Sequence, residues 1–190
     1  MSTLKKICEE SAKLLHALAN NNACMSQYDV IRNWCVATLA VKGKILVAGN
    51  GGSFADASHF AGELVGRFMR ERRALPVLTL GADTAITTAW SNDYSFDDVF
   101  ARQLQAYAHA GDIFLAISTS GNSKNLIRAA QYARDNNIFV LSLLGRDGGQ
   151  LLALSDCALV VPHSLTSRIQ EAHICILHAL AQDIEDSVII

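Results

Sequence analysis

The sequence predicts an α/β protein in which helices cover both faces of a parallel, five-stranded sheet. Short apolar runs alternate along the chain with longer stretches of helical periodicity, the pattern of successive βα units. The runs are apolar throughout, as in Ile113-Phe114-Leu115-Ala116-Ile117, which is typical of strands buried on both faces. With 190 residues and a hydrophobic fraction of 51%, the chain is expected to form a single domain, residues 1–190, with a substantial core.

The first two elements are predicted to be a helical hairpin that precedes the sheet. Apolar residues recur at helical spacing over residues 3–20 and 26–42, and the polar run Asn20-Asn21-Asn22 separates the two stretches. Residues 1–42 are therefore expected to be an N-terminal extension of the domain. Its apolar face must be buried either on the sheet or on a partner subunit, and the sequence leaves both open.

Strands and helices then alternate to the end of the chain. A turn is expected at residues 91–94 and a loop at 145–149. The strands are expected at 44–48, 76–80, 112–117, 138–143 and 158–161, and the remaining helices at 54–67, 83–90, 96–107, 124–135, 150–154 and 167–187.

Composition excludes several classes of protein. No stretch of 18 residues lacks a charged side chain, so a membrane span is not expected. The N-terminus has no signal-peptide pattern, and the five cysteines are scattered without C-x-x-C spacing, which indicates reduced thiols in the cytoplasm. A net charge of −2 with mixed signs offers no basic surface for nucleic acid.

A glycine-rich turn follows the first predicted strand. Asn50, Gly51 and Gly52 lie where the backbone must approach a ligand closely, and Ser53 is expected to be the N-cap of the next helix. Free N–H groups at such a helix start attract an anion. The turn does not match a dinucleotide fingerprint, so by itself it is a weak signal.

A second loop, Ser118-Thr119-Ser120-Gly121-Asn122-Ser123, carries four hydroxyls in six residues. An ordinary polar turn with an N-cap would need fewer hydroxyls, so phosphate binding is favoured. Both loops follow a strand and precede a helix. They are therefore expected to share the rim formed by the carboxyl ends of the strands, where parallel sheets bind ligands.

Candidate metal ligands lie on two predicted helices. His59 and Glu63 are four residues apart and share a face, although such a pair taken alone is more often an ordinary polar pair. On the last helix, Gln170 and His178 are separated by about 12 Å along the axis, so they can meet at one ion only if Gln170 sits at the helix mouth or a second subunit completes the site. His173 is the alternative by spacing and is expected to be structural. Asn92 and Asp93 fit an Asx turn and a hydroxyl-binding pair equally well.

Together these segments resemble the sugar isomerase (SIS) domain, and specifically the phosphoheptose isomerases. The matching segments span nearly the whole chain: 49–53, 59–64, 92–94, 117–123, 147–149 and 168–178. The resemblance implies a three-layer α-β-α sandwich of flavodoxin-like type and a homotetramer with active sites at subunit interfaces. It also implies conversion of sedoheptulose 7-phosphate to D-glycero-D-manno-heptose 7-phosphate for bacterial lipopolysaccharide or capsule.

The resemblance also implies site residues. A zinc ion would be held by His59, Glu63, Gln170 and His178. The sugar phosphate would be held by Asn50, Gly51, Gly52, Ser53, Glu63, Asn92, Asp93, Ser118, Thr119, Ser120, Ser123 and Gln170. Ser167 stands where some relatives carry an aspartate, so one substrate contact is in doubt.

Moving a carbonyl between neighbouring carbons requires a base, an acid and stabilisation of an enediolate. Glu63 is assigned as the base and His178 as its acid/base partner. Because a carboxylate bound tightly to zinc is a poorer base, Glu63 either binds weakly or exchanges roles during turnover. Two other hypotheses are a non-catalytic relative that binds the bacterial replication initiator, which would lack the catalytic carboxylate and second histidine, and a sugar-phosphate sensor, which usually carries a DNA-binding module.

Overall fold

The computed structural model describes residues 2–188, so the ends of the predicted domain, residues 1 and 189–190, lie outside the described part. The strands are β1 (Ile45–Gly49), β2 (Val77–Thr79), β3 (Ile113–Ser118), β4 (Phe139–Gly145) and β5 (Cys157–Val161). The helices are α1 (Thr3–Ala19), α2 (Asn22–Ala40), α3 (Gly52–Val65), α4 (Thr84–Asp93), α5 (Val99–Tyr107), α6 (Lys124–Asp135), α7 (Gly149–Leu154) and α8 (Thr166–Val188), with a 3-10 turn at Phe96–Asp98.

The five strands form one parallel sheet in the order β2-β1-β3-β4-β5. The predicted parallel, five-stranded sheet is thereby confirmed. β1 and β3 are neighbours, with Ile45 paired to Ile113. The order of the strands reverses direction between these two. In a doubly wound sheet this is the point where the loops at the carboxyl ends diverge and leave a crevice for a ligand.

Helices cover both faces of the sheet because successive strand side chains point to opposite sides. Ile45 and Val47 of β1 belong to a buried cluster with α2, α3 and α8, whereas Leu46 and Ala48 pack with α5, α6 and α7. Leu14, Leu18, Ile31 and Leu39 of the N-terminal hairpin belong to the first of these clusters, so much of its apolar face packs on the sheet and α8 of the same chain. Leu4 and Val30 of the hairpin remain exposed. Within residues 2–188, no helix is both long and apolar enough to span a membrane.

Two local expectations were wrong. The N-cap of α3 is Gly51, with φ of 58°, and the expected cap Ser53 is a buried residue of the first helical turn. The expected turn at 91–94 is instead the end of α4, which continues through Asp93. Trp90 and Tyr94 stack at 4.2 Å between ring centroids, and this contact one turn apart stabilises the extended helix.

Candidate active site

Three of the predicted metal ligands form one cluster between α3 and α8. His59 Nε2 lies 2.9 Å from Glu63 Oε1 and 3.3 Å from His178 Nε2. All three donor atoms lie within 4.8 Å of one another. The Phe68 ring stacks on the His178 imidazole with centroids 5.8 Å apart and planes at 19°, so the orientation of this ring is fixed from both sides.

Gln170, the fourth predicted ligand, lies at the other end of the α3–α8 contact. Its side-chain amide packs so closely on Gly52 that a Cβ there would stand 2.5 Å from Nε2. The two helices run in parallel, because Gln170 meets Gly52 and His178 meets His59. Within one chain Gln170 is thus just over two helical turns, about 12 Å along the axis of α8, from His178 of the cluster.

The donor set fits a divalent metal. Two imidazole nitrogens 3.3 Å apart match the separation of two ligands bound at about 2.0–2.1 Å in a tetrahedral zinc site. One turn before His59, the Oδ2 atom of Asp56 is buried and has no hydrogen-bond partner. Burial raises the pKa of Asp56, and the neighbouring His59 opposes that rise. A carboxylate in this setting adds favourable potential for a cation beside the cluster.

The glycine-rich turn presents backbone donors at the rim of the sheet. The N–H groups of Ser53, Phe54 and Ala55 bond back to the carbonyls of Asn50 and Gly51. In the described part of the chain the N–H groups of Gly51 and Gly52 make no such bond, and both residues are exposed. They are therefore available to a ligand at the N-terminus of α3.

A pair of amides joins the glycine-rich turn to the first turn of α6, which directly follows the serine-rich loop. Asn50 Nδ2 donates to Asn125 Oδ1 at 3.0 Å, and Asn125 Nδ2 donates to Asn50 Oδ1 at 2.9 Å. Asn125 is buried and its Oδ1 also accepts the N–H of Leu126. The two loops thus share one rim, as the sequence predicted, and Asn50 has a fixed orientation.

The hydroxyls of the serine-rich loop divide into two groups. Ser118 Oγ accepts the N–H of Gly121 at 3.1 Å and Ser120 Oγ accepts that of Asn122 at 3.2 Å, so these two shape the loop. Ser123 is the N-cap of α6 but makes no side-chain capping bond. Its hydroxyl, beside the start of a helix, has the chemistry of a phosphate ligand.

The serine-rich loop packs against the loop between β4 and α7. Gly121 has φ of +63°, and a Cβ there would stand 1.8 Å from the Gly148 carbonyl oxygen. Leu151 N–H donates to the Gly121 carbonyl at 3.0 Å. Only glycine permits this approach, and the contact fixes the backbone of the loop predicted to bind phosphate.

The remaining candidates are not members of the His59–Glu63–His178 cluster. Asn92 and Asp93 are exposed on the last turn of α4, where Asn92 Nδ2 donates to Asp93 Oδ1 at 2.9 Å. Ser167 is exposed on the first turn of α8. His173 is fully buried and its Nε2 lies 3.1 Å from the Leu144 carbonyl, so the expectation of a structural histidine agrees with its place in the core.

Known proteins are similar to this chain in both sequence and fold. The model of the SIS domain family matches residues 8–145. A phosphoheptose isomerase from Helicobacter hepaticus is 54% identical over 150 residues, which are 79% of this chain and 76% of the relative. A second, from Sulfurimonas denitrificans, is 44% identical over 185 residues, which are 97% of this chain and 95% of the relative. The chain belongs to the phosphoheptose isomerase family.

The solved structure of a phosphoheptose isomerase from Neisseria gonorrhoeae superposes with a TM-score of 0.90 at 39% identity, covering 96% of this chain and 97% of that one. One from Francisella tularensis also gives 0.90, at 36% identity, covering 98% and 100%. This phosphoheptose isomerase fold therefore includes the N-terminal hairpin and not only the sheet.

Sequence reasoning missed three residues that lie beside the candidate site residues. Asn125 sits just after an N-cap, where an asparagine is unremarkable, and only the reciprocal bond to Asn50 gives it a role. Phe68 lies in the loop after α3, and no local pattern shows that its ring reaches His178 on α8. Asp56 precedes His59 by three residues on α3, so the two share a helix face. Of the three residues, it is the one that helical spacing could have found.

Proposed function

We propose that this chain is an aldose–ketose isomerase that converts sedoheptulose 7-phosphate to D-glycero-D-manno-heptose 7-phosphate. The cluster of His59, Glu63 and His178 carries the proposal, because it joins a carboxylate base to two imidazoles at metal-binding distance. The family relatives named phosphoheptose isomerase, at 44–54% identity, support the same reaction.

Glu63 has the position of the base. Its side chain is 23% exposed, so a substrate can reach it, and Oε1 is oriented by the bond to His59. In the proposed mechanism Glu63 removes the proton from the carbon next to the carbonyl and returns it to the former carbonyl carbon. His178 moves a proton between the two substrate oxygens, which completes the exchange of carbonyl and hydroxyl.

We assign the cofactor as one zinc ion per subunit, held by His59, Glu63, His178 and Gln170. When bound, zinc would polarise the carbonyl and hydroxyl oxygens as a Lewis acid. Because Gln170 is two helical turns from the cluster within one chain, its participation requires that the site be completed across a subunit boundary. This supports a homotetramer with shared active sites.

The substrate is held by groups at the rim. Ser118, Thr119, Ser120 and Ser123 surround the start of α6 and are assigned to the phosphate. The glycine-rich turn, from Asn50 to Ser53, is assigned to the sugar hydroxyls together with Asn92, Asp93 and Gln170. The product would supply heptose for bacterial lipopolysaccharide or capsule, and the enzyme would work in the cytoplasm.

The proposal is tested by giving the purified protein sedoheptulose 7-phosphate and following the aldose product. Isomerisation is expected. An inactive wild type that instead binds the bacterial replication initiator tightly would favour the non-catalytic alternative. Against that alternative, the chain retains both Glu63 and His178, and the structure brings them to one cluster with His59.

A further inference from the structure

Glu185 is a buried carboxylate that the proposed reaction does not use. It lies two turns after His178 on the same face of α8, and its exposed fraction is 0%. Its Oε1 accepts the N–H of Phe68 at 3.0 Å, and its Oε2 accepts those of Met69 at 2.7 Å and Arg70 at 2.9 Å. One side chain of α8 thus holds three successive residues of the loop that follows α3.

Arg72 connects this carboxylate to the end of α3. Its Nε lies 3.3 Å from Glu185 Oε1, and the side chain is only 3% exposed. The guanidinium donates to the carbonyls of Glu63 at 2.6 Å, Leu64 at 2.7 Å and Gly66 at 2.9 Å. A helix C-terminus leaves such carbonyls without an internal partner, so Arg72 serves as the cap of the turn that carries Glu63.

The same loop also contacts His178 of the cluster, through Phe68. This residue is the first of the three that Glu185 holds, and its ring stacks on the His178 imidazole. Glu185 and Arg72 touch no reacting atom. They contact the loop and helix end that set two of the cluster's three side chains.

The Glu185 carboxylate is ionised near neutral pH. Burial acts to raise the pKa of Glu185, but the three backbone N–H groups and Arg72 outweigh it and leave the pKa below its ordinary value. Two buried ions gain little net stability from each other. Bonds to seven backbone groups, including the one from Arg72 to the Arg73 carbonyl, however, select one conformation of the loop, and that selection is what a preorganised site needs.

We propose that the Glu185–Arg72 pair positions the His59–Glu63–His178 cluster by fixing the loop at residues 66–73. Phe68 then sets the ring of His178, and the capped end of α3 sets Glu63. The kinetic consequence rests on the proposed isomerase function, whereas the effect on metal binding does not.

The test compares Glu185→Gln with a matched control, Asp112→Asn, in the full-length protein. Asp112 is also buried and accepts the N–H groups of Lys44 at 2.8 Å and His109 at 2.7 Å, with Lys44 Nζ at 2.7 Å. It lies before β3, and its hydrogen bonds go to Lys44, His109 and Phe139, none of which belongs to α3, α8 or the loop at residues 66–73. Both variants are expected to lower the unfolding temperature.

The two variants are expected to differ at the site. Glu185→Gln should weaken zinc binding by the metal-stripped protein and lower kcat, each by about 10- to 100-fold, with a smaller change in KM. Asp112→Asn should leave zinc binding and kcat unchanged. Phe68→Leu should reproduce the loss of kcat and zinc affinity with a smaller loss of thermal stability, since it keeps the Glu185 bonds to the backbone.

Measurements are made well below the unfolding temperatures of all variants. The proposal is overturned if Glu185→Gln keeps wild-type zinc affinity and kcat there, or if Asp112→Asn impairs both as strongly. Zinc titration needs no substrate, so an inactive wild type would refute the proposed function and leave zinc affinity to decide the positioning role. If zinc does not bind, kcat decides it.

Discussion

At position 63 a carboxylate lies 2.9 Å from one imidazole and within 4.8 Å of a second, and it is partly open to solvent. Glu63→Gln keeps the shape of this side chain and removes its basicity. Because a positioned general base contributes about 100- to 10,000-fold, kcat on sedoheptulose 7-phosphate should fall by that order. The same substitution at Glu9, an exposed residue of α1, should leave kcat unchanged. Equal activity of the two variants would remove Glu63 from the mechanism.

His173 makes stability depend on pH. Burial lowers its pKa to about 4, although the bond to the Leu144 carbonyl opposes this. The unfolded chain, with a histidine pKa of about 6.5, binds a proton in this range that the folded chain does not. Folding is therefore destabilised as the pH falls from about 6.5 to 4, by up to about 3 kcal/mol. Urea unfolding at several pH values should show this loss, and His173→Gln should reduce the slope of the unfolding free energy against pH. An unchanged slope would mean that His173 is not the group responsible.

Single residues of the site differ in how well the sequence predicts them. His59 and Glu63 follow from helical spacing, because residues four apart share a face. His178 and Gln170 came from family resemblance, since their separation on α8 argues against one ion within one chain. Glu185 resembles a solvated charge near the end of a long helix. Its burial depends on a loop more than 100 residues earlier, and no local pattern encodes that contact.

Among the elements, the serine-rich loop depends on a close backbone approach at Gly121. Gly121→Ala would combine a positive φ with a clash against the Gly148 carbonyl, whereas Gly111→Ala has a similar φ, +89°, and open space around it. Strain alone should cost about 1–2 kcal/mol in the control. The clash should add about 1–3 kcal/mol at Gly121 and raise the KM for the sugar phosphate. Unfolding and kinetics of both variants check this, and equal effects would refute the proposed role of the approach.

Strands and helices were predictable to the extent that burial follows local periodicity. Fully buried strands such as β3 and β4 are continuous apolar runs, so their positions agree with the sequence prediction within about two residues. The end of α4 was missed because Trp90 and Tyr94 stack, a contact that outweighs the turn preference of the Asn-Asp pair. The cap of α3 was misplaced because glycine in the turn replaces a side-chain cap.

At the scale of the whole molecule, the separation of Gln170 from the cluster predicts an oligomer. If Gln170 completes the zinc site of a neighbouring chain, as proposed, mass measurement in solution should show more than one subunit, and the family resemblance implies four. Gln170→Ala should then weaken zinc binding without shifting the monomer–tetramer equilibrium, whereas Ser167→Ala, one turn earlier and exposed, should leave zinc binding unchanged. A species with only the monomer mass would contradict the shared site.

The central claim is that a metal-binding cluster of His59, Glu63 and His178 converts one sugar phosphate into another. It is tested most directly by assaying sedoheptulose 7-phosphate isomerisation before chelation, after removal of metal, and after zinc is returned. The structure predicts activity that is lost with the metal and restored by zinc. Full activity in the metal-free protein, or no activity in the zinc-loaded protein, would contradict the claim.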